Sequence, residues 1–170
     1  IFKKFYPYFQ SQNIYGNYAL LTMHRAENTT LKILTKRLKQ ISQLKMKFIY
    51  PIHPRTKKII SQENISLPSN IITVAPQGWL DLMKLAKNSK FIITDSGGLQ
   101  KEAFWLKKHC ITIRDQTEWV ETIEQKVNQL NTINQKLIIP NLNEGDFSNP
   151  YGQGNTSQKI IDVIKTVFNF

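Results

Sequence analysis

Several residues of this chain could do chemistry, and they sit at the ends of short apolar runs. In Phe91–Glu102, "FIITDSGGLQKE", the run stops at Asp95-Ser96-Gly97-Gly98, and Glu102 follows four residues after the second glycine. A Ser-Gly-Gly turn between a strand and a helix presents backbone N–H groups at a helix N-terminus, where the dipole favours an anion. Glycines have no Cβ, so a phosphate can come close to the chain. Glu102, one helical turn further on the same face, would repel phosphate but could accept both hydroxyls of a ribose. Together these would suit a nucleoside diphosphate. An ordinary glycine turn followed by a charge-paired glutamate explains the same residues equally well.

Similar residues follow four other apolar runs. His24-Arg25-Ala26-Glu27-Asn28 comes after "YALLTM", His53-Pro54-Arg55-Thr56 after "KFIYPI", and Ala75-Pro76-Gln77-Gly78-Trp79 after "NIITV". Arg114-Asp115-Gln116-Thr117-Glu118-Trp119 comes after "CITI". A single histidine is more often a packed or capping residue than a functional one. Two histidines and three arginines at successive strand ends point instead to one rim.

The elements that must position them alternate two periodicities. Runs at 18–23, 47–52, 70–74, 90–94 and 110–113 are short and rich in β-branched or aromatic residues, as buried strands are. Helical spacing occupies about 31–44, 55–63, 79–88, 98–107 and 132–139. Asn155/Thr156 can cap a final helix to the terminus. The alternation predicts βαβ units in an α/β, Rossmann-like doubly wound parallel sheet, whose ligands bind at the carboxyl ends of the strands. Leu31, Leu34, Leu38, Ile41 and Leu44 form the apolar stripe of an amphipathic surface helix.

Composition narrows the classes. The 170 residues suit one folded domain, and the net charge of +11 would attract polyanions or phosphorylated substrates. The basic residues are dispersed, as on solvated helix faces. Basic and aromatic residues are not interleaved on one face, so nucleic acid is not an expected partner. One cysteine, Cys110, excludes an internal disulfide and suits a cytoplasmic protein. No run of eighteen apolar residues predicts a membrane span, and "IFKKFYPYFQ" lacks the core of a signal peptide. The three histidines show no metal-ligand spacing. A hydrolase triad from Asp95, Ser96 and a histidine would lack its G-x-S-x-G elbow, and neither G-x-G-x-x-G nor a P-loop is present.

The motifs "TMHRAENT", "PIHPRT", "TDSGGLQKEAFWLKKHCITIRDQTEWVET" and "NPYGQGN", in this order, resemble the UDP-N-acetylglucosamine 2-epimerases from about Tyr18 to Ile164. The resemblance implies the C-terminal, UDP-binding half of a glycosyltransferase-B-like two-domain fold. It implies C2 inversion by anti elimination of UDP to a glycal and re-addition, without redox cofactor or metal. The acid–base carboxylates would lie on an N-terminal domain outside this chain, and the full-length protein would be a homodimer. On this reading residues 1–17 are the connection to a preceding segment, 18–154 the UDP-binding domain, and 155–170 a helix packing toward the N-terminal domain. His24 would contact the diphosphate and assist its departure, with Arg25 and Glu27 as anion contact or loop support. Ser96, Gly97 and Gly98 would bind phosphates, Glu102 ribose, Gln77 the uracil edge, and Leu82 the base. His53 would lie near an effector site.

Two departures stand out. Trp119 stands where the family usually has an arginine, and His-Pro-Arg-Thr replaces the commoner His-x-Asn-Pro. Both resemble the branch acting on UDP-2,3-diacetamido-2,3-dideoxyglucuronic acid, in which Trp119 would take an acetamido methyl and Arg55 or Arg114 would face the uronate. Two further readings are the donor half of a glycosyltransferase and a non-catalytic nucleotide- or polyanion-binding module.

Overall fold

The computed structural model describes residues 2–152 and 154–168, leaving aside the side chain of Lys3. Six strands form one parallel sheet in the order β3-β2-β1-β4-β5-β6: β1 (Ala19–Thr22), β2 (Phe48–Pro51), β3 (Ile71–Val74), β4 (Ile92–Thr94), β5 (Cys110–Thr112) and β6 (Asn128–Leu130). This is the doubly wound Rossmann order, with its switch point between β1 and β4. The first five strands fall inside the apolar runs that predicted them. The helices are α1 (Phe2–Phe5), α2 (Leu31–Ser42), α3 (Pro54–Gln62), α4 (Trp79–Asn88), α5 (Gly97–Trp105), α6 (Val120–Glu124) and α7 (Thr156–Phe168).

Strand pleating sends alternate residues to opposite faces, and both faces are covered. Ala19, Leu21, Phe48, Tyr50, Ile93 and Ile111 pack with Leu34, Leu38 and Ile41 of α2. Leu20, Ile92 and Cys110 pack on the other face with Met83 and Ala86 of α4 and Leu99 and Ala103 of α5. Burial pushes the Cys110 thiol up to about 12, so it behaves as a small apolar core group.

The stretch after β5 differs from the sequence expectation. Residues 132–139 are not a helix: Thr132 N–H bonds Oε1 of Gln135 and Asn131 Nδ2 bonds the Lys136 carbonyl, a turn that drives Leu137 into the core. The short helix α6 lies earlier, between β5 and β6, and β6 is a strand that apolar patterning does not reveal. The segment before residue 18 forms α1 and a 3₁₀ turn at Tyr6–Phe9. Its Phe9 is fully buried in the second cluster, so this segment packs onto the domain. In contrast, α7 has no buried residue, and Ile160, Ile161, Val163, Ile164 and Val167 are exposed.

Candidate functional site

The strand ends of β1, β4 and β5 meet at Asp95, which is completely buried. Its Oδ2 accepts the backbone N–H groups of His24 and Arg25, both at 2.9 Å, and Nδ2 of Asn28 at 3.2 Å. Asn28 also donates to the Ile113 carbonyl at 3.0 Å, which ties in the end of β5. Oδ1 faces Nδ1 of His24 at 3.2 Å, at ion-pair distance but without hydrogen-bond alignment. A buried carboxylate is tolerated only when its lone pairs are used in this way. The consequence is a fixed His24-Arg25 backbone and an imidazole whose other nitrogen, Nε2, is left for a ligand.

The His53 ring stacks beside that of His24, with centroids 5.9 Å apart and planes at 29°. His53 caps α3, and its Nδ1 accepts the Arg55 N–H at 3.2 Å, so its proton resides on Nε2. Arg55 makes no ion pair among the described residues, whereas Arg25 approaches Glu27 at 3.9 Å.

Helix α5 starts at the switch point. Ser96 caps it by accepting the Leu99 N–H at 3.3 Å, and its own N–H bonds Oγ1 of Thr94 at 2.9 Å. The N–H groups of Gly97 and Gly98 have no partner among the described residues. A Cβ on Gly98 would meet only Oγ of Ser96, at 3.9 Å, so the space in front of this turn is open. One turn on, Oε1 of Glu102 accepts Nε1 of Trp79 at 2.6 Å. Burial raises the Glu102 pKa above its usual value, and the Trp79 hydrogen bond partly opposes this. Trp79 is steadied by Phe5 and Phe9, with ring centroids at 5.9 and 5.5 Å.

The loop after β5 closes the other side. Arg114, nearly buried, donates to both oxygens of Glu118 at 3.0 and 2.9 Å. That bond, foremost, holds the Glu118 carboxyl below the ordinary range. Oε2 of Glu118 would lie 3.3 Å from a Cβ on Gly97, and a guanidinium nitrogen of Arg25 4.0 Å from it. Nε1 of Trp119 donates to the Gly97 carbonyl at 2.7 Å. Gln100, buried within α5, accepts Oγ1 of Thr117 at 2.6 Å and Nδ2 of Asn128 at 3.2 Å, which anchors this loop through β6.

The sequence-predicted residues thus divide. His24, Arg25, Ser96, Gly97 and Gly98 come together at the switch point, with Glu102 one turn along α5. Trp119 borders Gly97 directly and Arg114 through Glu118, each with its polar group already engaged by protein. Gln77 is on the β3–α4 loop with Nε2 on the Ala75 carbonyl at 2.7 Å, and Leu82 is half-buried against the second core cluster. Glu27 is exposed. Sequence reasoning assigned no site role to Asp95, Trp79 or Glu118. Asp95 did carry a signal, as the first residue after a strand at the switch point. Among the described residues no group of three or more His, Cys, Asp or Glu could hold a metal ion, and no helix is long and apolar enough to cross a membrane.

A family profile described as UDP-N-acetylglucosamine 2-epimerase matches residues 4–165. The chain belongs to that family. A UDP-N-acetylglucosamine 2-epimerase homolog of Methanococcus maripaludis is 38% identical over 160 residues, covering 88% of this chain and 45% of the relative. The UDP-2,3-diacetamido-2,3-dideoxy-D-glucuronate 2-epimerase of Pseudomonas aeruginosa is 34% identical, covering 86% and 44%. The crystal structure of Methanocaldococcus jannaschii UDP-GlcNAc 2-epimerase in complex with UDP-GlcNAc and UDP superposes with a TM-score of 0.73 at 38% identity, over 88% of this chain and 45% of that one. This epimerase-family chain therefore spans about half the length of the relatives it matches.

Proposed function

We propose that this chain is the UDP-holding half of a sugar-nucleotide 2-epimerase, in which C2 of a UDP-2-acetamido sugar is inverted by anti elimination and re-addition of UDP. The observation that carries the proposal is the pair of unpartnered N–H groups at Gly97 and Gly98, with Glu102 one turn along the same helix. These features sit inside a family match to a relative crystallised with UDP-GlcNAc and UDP. The Gly97–Gly98 turn and Ser96 hold the diphosphate, and Glu102 takes the ribose hydroxyls. Gln77 and Leu82 receive the uracil. Nε2 of His24 donates to the leaving phosphate oxygen as the C1–O bond breaks, a charge-assisted contact that strengthens as the oxyanion develops. Asp95 holds the imbedded end of that imidazole. The carboxylates that move the C2 proton belong to the other half of the protein, so this chain alone binds UDP without turnover.

Two sugars fit the relatives, UDP-N-acetylglucosamine and its diacetamido uronate counterpart. Arg114 is neutralised by Glu118, so Arg55 is the better candidate for a uronate carboxylate. The exposed apolar face of α7 docks on the other half, and the assembled enzyme is a cytoplasmic homodimer serving surface-polysaccharide synthesis. Calorimetry with UDP tests the core of this reading. Gly98→Ala separates function from folding, because the added methyl fits the open turn yet fills the space of a phosphate. The variant keeps the melting temperature and loses UDP affinity at least about tenfold, whereas unchanged affinity refutes the phosphate role.

A further inference from the structure

Trp119 ends on the backbone of the phosphate turn, and two further side chains, Lys101 and Tyr151, bear on it. Its Nε1–H donates to the Gly97 carbonyl at 2.7 Å. That carbonyl belongs to the same peptide group as the Gly98 N–H, one of the two unpartnered donors of the turn. A hydrogen bond accepted by a peptide oxygen polarises the amide and makes its N–H a stronger donor. It also fixes the plane of the peptide, and so the direction in which that N–H points.

The indole is itself held. Nζ of Lys101 lies 4.3 Å from the Trp119 ring centroid, 4.4 Å from that of Tyr151 and 5.2 Å from that of Trp105. Tyr151 meets Trp119 edge-on, with centroids 5.7 Å apart and planes at 84°. Lys101 makes no ion pair with a carboxylate among the described residues. Its charge is therefore directed at the aromatic faces, which attract a cation through their quadrupoles. A cation over the ring withdraws electron density and makes the indole N–H more acidic. Tyr151 brings the segment that follows β6 into the same cluster.

We infer that Lys101, Trp119 and Tyr151 are positioning residues that orient and polarise the Gly97–Gly98 peptide, so that the Gly98 N–H binds a diphosphate more strongly. The inference rests on the proposed UDP site but concerns residues that need not touch the nucleotide themselves. The positive charge of Lys101, one turn behind the two N–H groups, adds to the field of the helix end.

Trp119→Phe keeps an aromatic face for Lys101 and removes the donor. Calorimetry with UDP and an NMR titration with uridine, which lacks phosphates, divide the effect. The expected result is a three- to tenfold loss of UDP affinity with uridine binding unchanged and the melting temperature nearly unmoved. Without any ligand, the Gly98 amide proton should shift upfield in Trp119→Phe, because the polarising bond is gone. Lys101→Met should give a smaller change in the same direction, and Lys101→Arg should restore wild-type behaviour. If UDP and uridine weaken together, the cluster serves only general folding and the inference is overturned. The same holds if neither UDP affinity nor the Gly98 resonance moves. Failure of the wild-type chain to bind UDP would instead overturn the proposed function.

Discussion

Replacing Glu102 by glutamine should uncouple ligand binding from stability, in opposite directions. A carboxylate offers about four acceptor positions on two oxygens. Trp79 occupies one of them, at 2.6 Å on Oε1, which leaves enough for two ribose hydroxyls. A glutamine that keeps the Trp79 bond has one acceptor position left and an NH₂ group in place of the second oxygen. One of the two charge-assisted bonds is lost and the other is weakened. A hydrogen bond to a charged group contributes about 1.5–3 kcal/mol, so UDP affinity should fall roughly 10- to 150-fold. Folding responds the other way. Burial raises the folded-state pKa of Glu102 above 4.5, so its ionisation opposes folding. The stability it contributes is present in the protonated form, below the unfolded pKa, and is lost as pH rises through the folded value. At neutral pH Glu102→Gln removes that opposition and should melt higher than wild type.

Calorimetry with UDP and 2′,3′-dideoxy-UDP makes the test specific, because the two ligands share a diphosphate and its titration. Wild type should prefer UDP, and Glu102→Gln should lose most of that preference while binding the dideoxy compound nearly as before. The wild-type preference should also shrink as pH falls toward the raised pKa of Glu102, earlier than for an ordinary glutamate. An undiminished preference for UDP in Glu102→Gln would refute the ribose assignment. A lower melting temperature at pH 7 would refute the electrostatic account of this carboxylate.

Asp95→Asn should lower the melting temperature by roughly 6–12 °C, from a loss of about 3 kcal/mol, because three donors converge on Oδ2 and an amide cannot satisfy them equally. Scanning calorimetry checks it, and a cost under about 1 kcal/mol would remove Asp95 as the organiser of the strand ends. Ile160→Glu with Ile164→Glu should leave the melting temperature within about 2 °C of wild type, since no residue of α7 is buried. The same pair should reduce self-association in light scattering, and a large drop in melting temperature would show that α7 packs on this domain.

The fold was legible where apolar patterning carries it. Five strands lie inside β-branched runs, and Leu34, Leu38 and Ile41 face the core as their spacing requires. The sixth strand, Asn128–Leu130, escaped because its burial is polar. Asn128 is 5% exposed and its side chain is satisfied by Gln100, Thr122 and Thr112, a network that no periodicity signals. The false helix at 132–139 arose from apolar residues that instead anchor a turn, with Leu137 buried in the core and Ile139 packed against it.

The site divides along the same line. Ser96, Gly97, Gly98 and Glu102 were readable because the motif is local: cap, turn and first helical turn lie within seven residues. Asp95, Trp79 and Trp119 act across the fold, on backbone or carboxylate groups 70, 23 and 22 residues away. Each fixes another group across the fold, a role that its type alone does not signal. From sequence, Trp119 reads as a sugar contact, and Asp95 has no assigned role. Their partners reveal the difference. All three direct polar atoms at the elements carrying His24, Gly97 and Glu102, and these are the groups that a diphosphate and a ribose would need held still. A change at Trp119 should therefore be felt in phosphate binding, and a change at Trp79 in ribose binding, although neither residue lies in the motif itself.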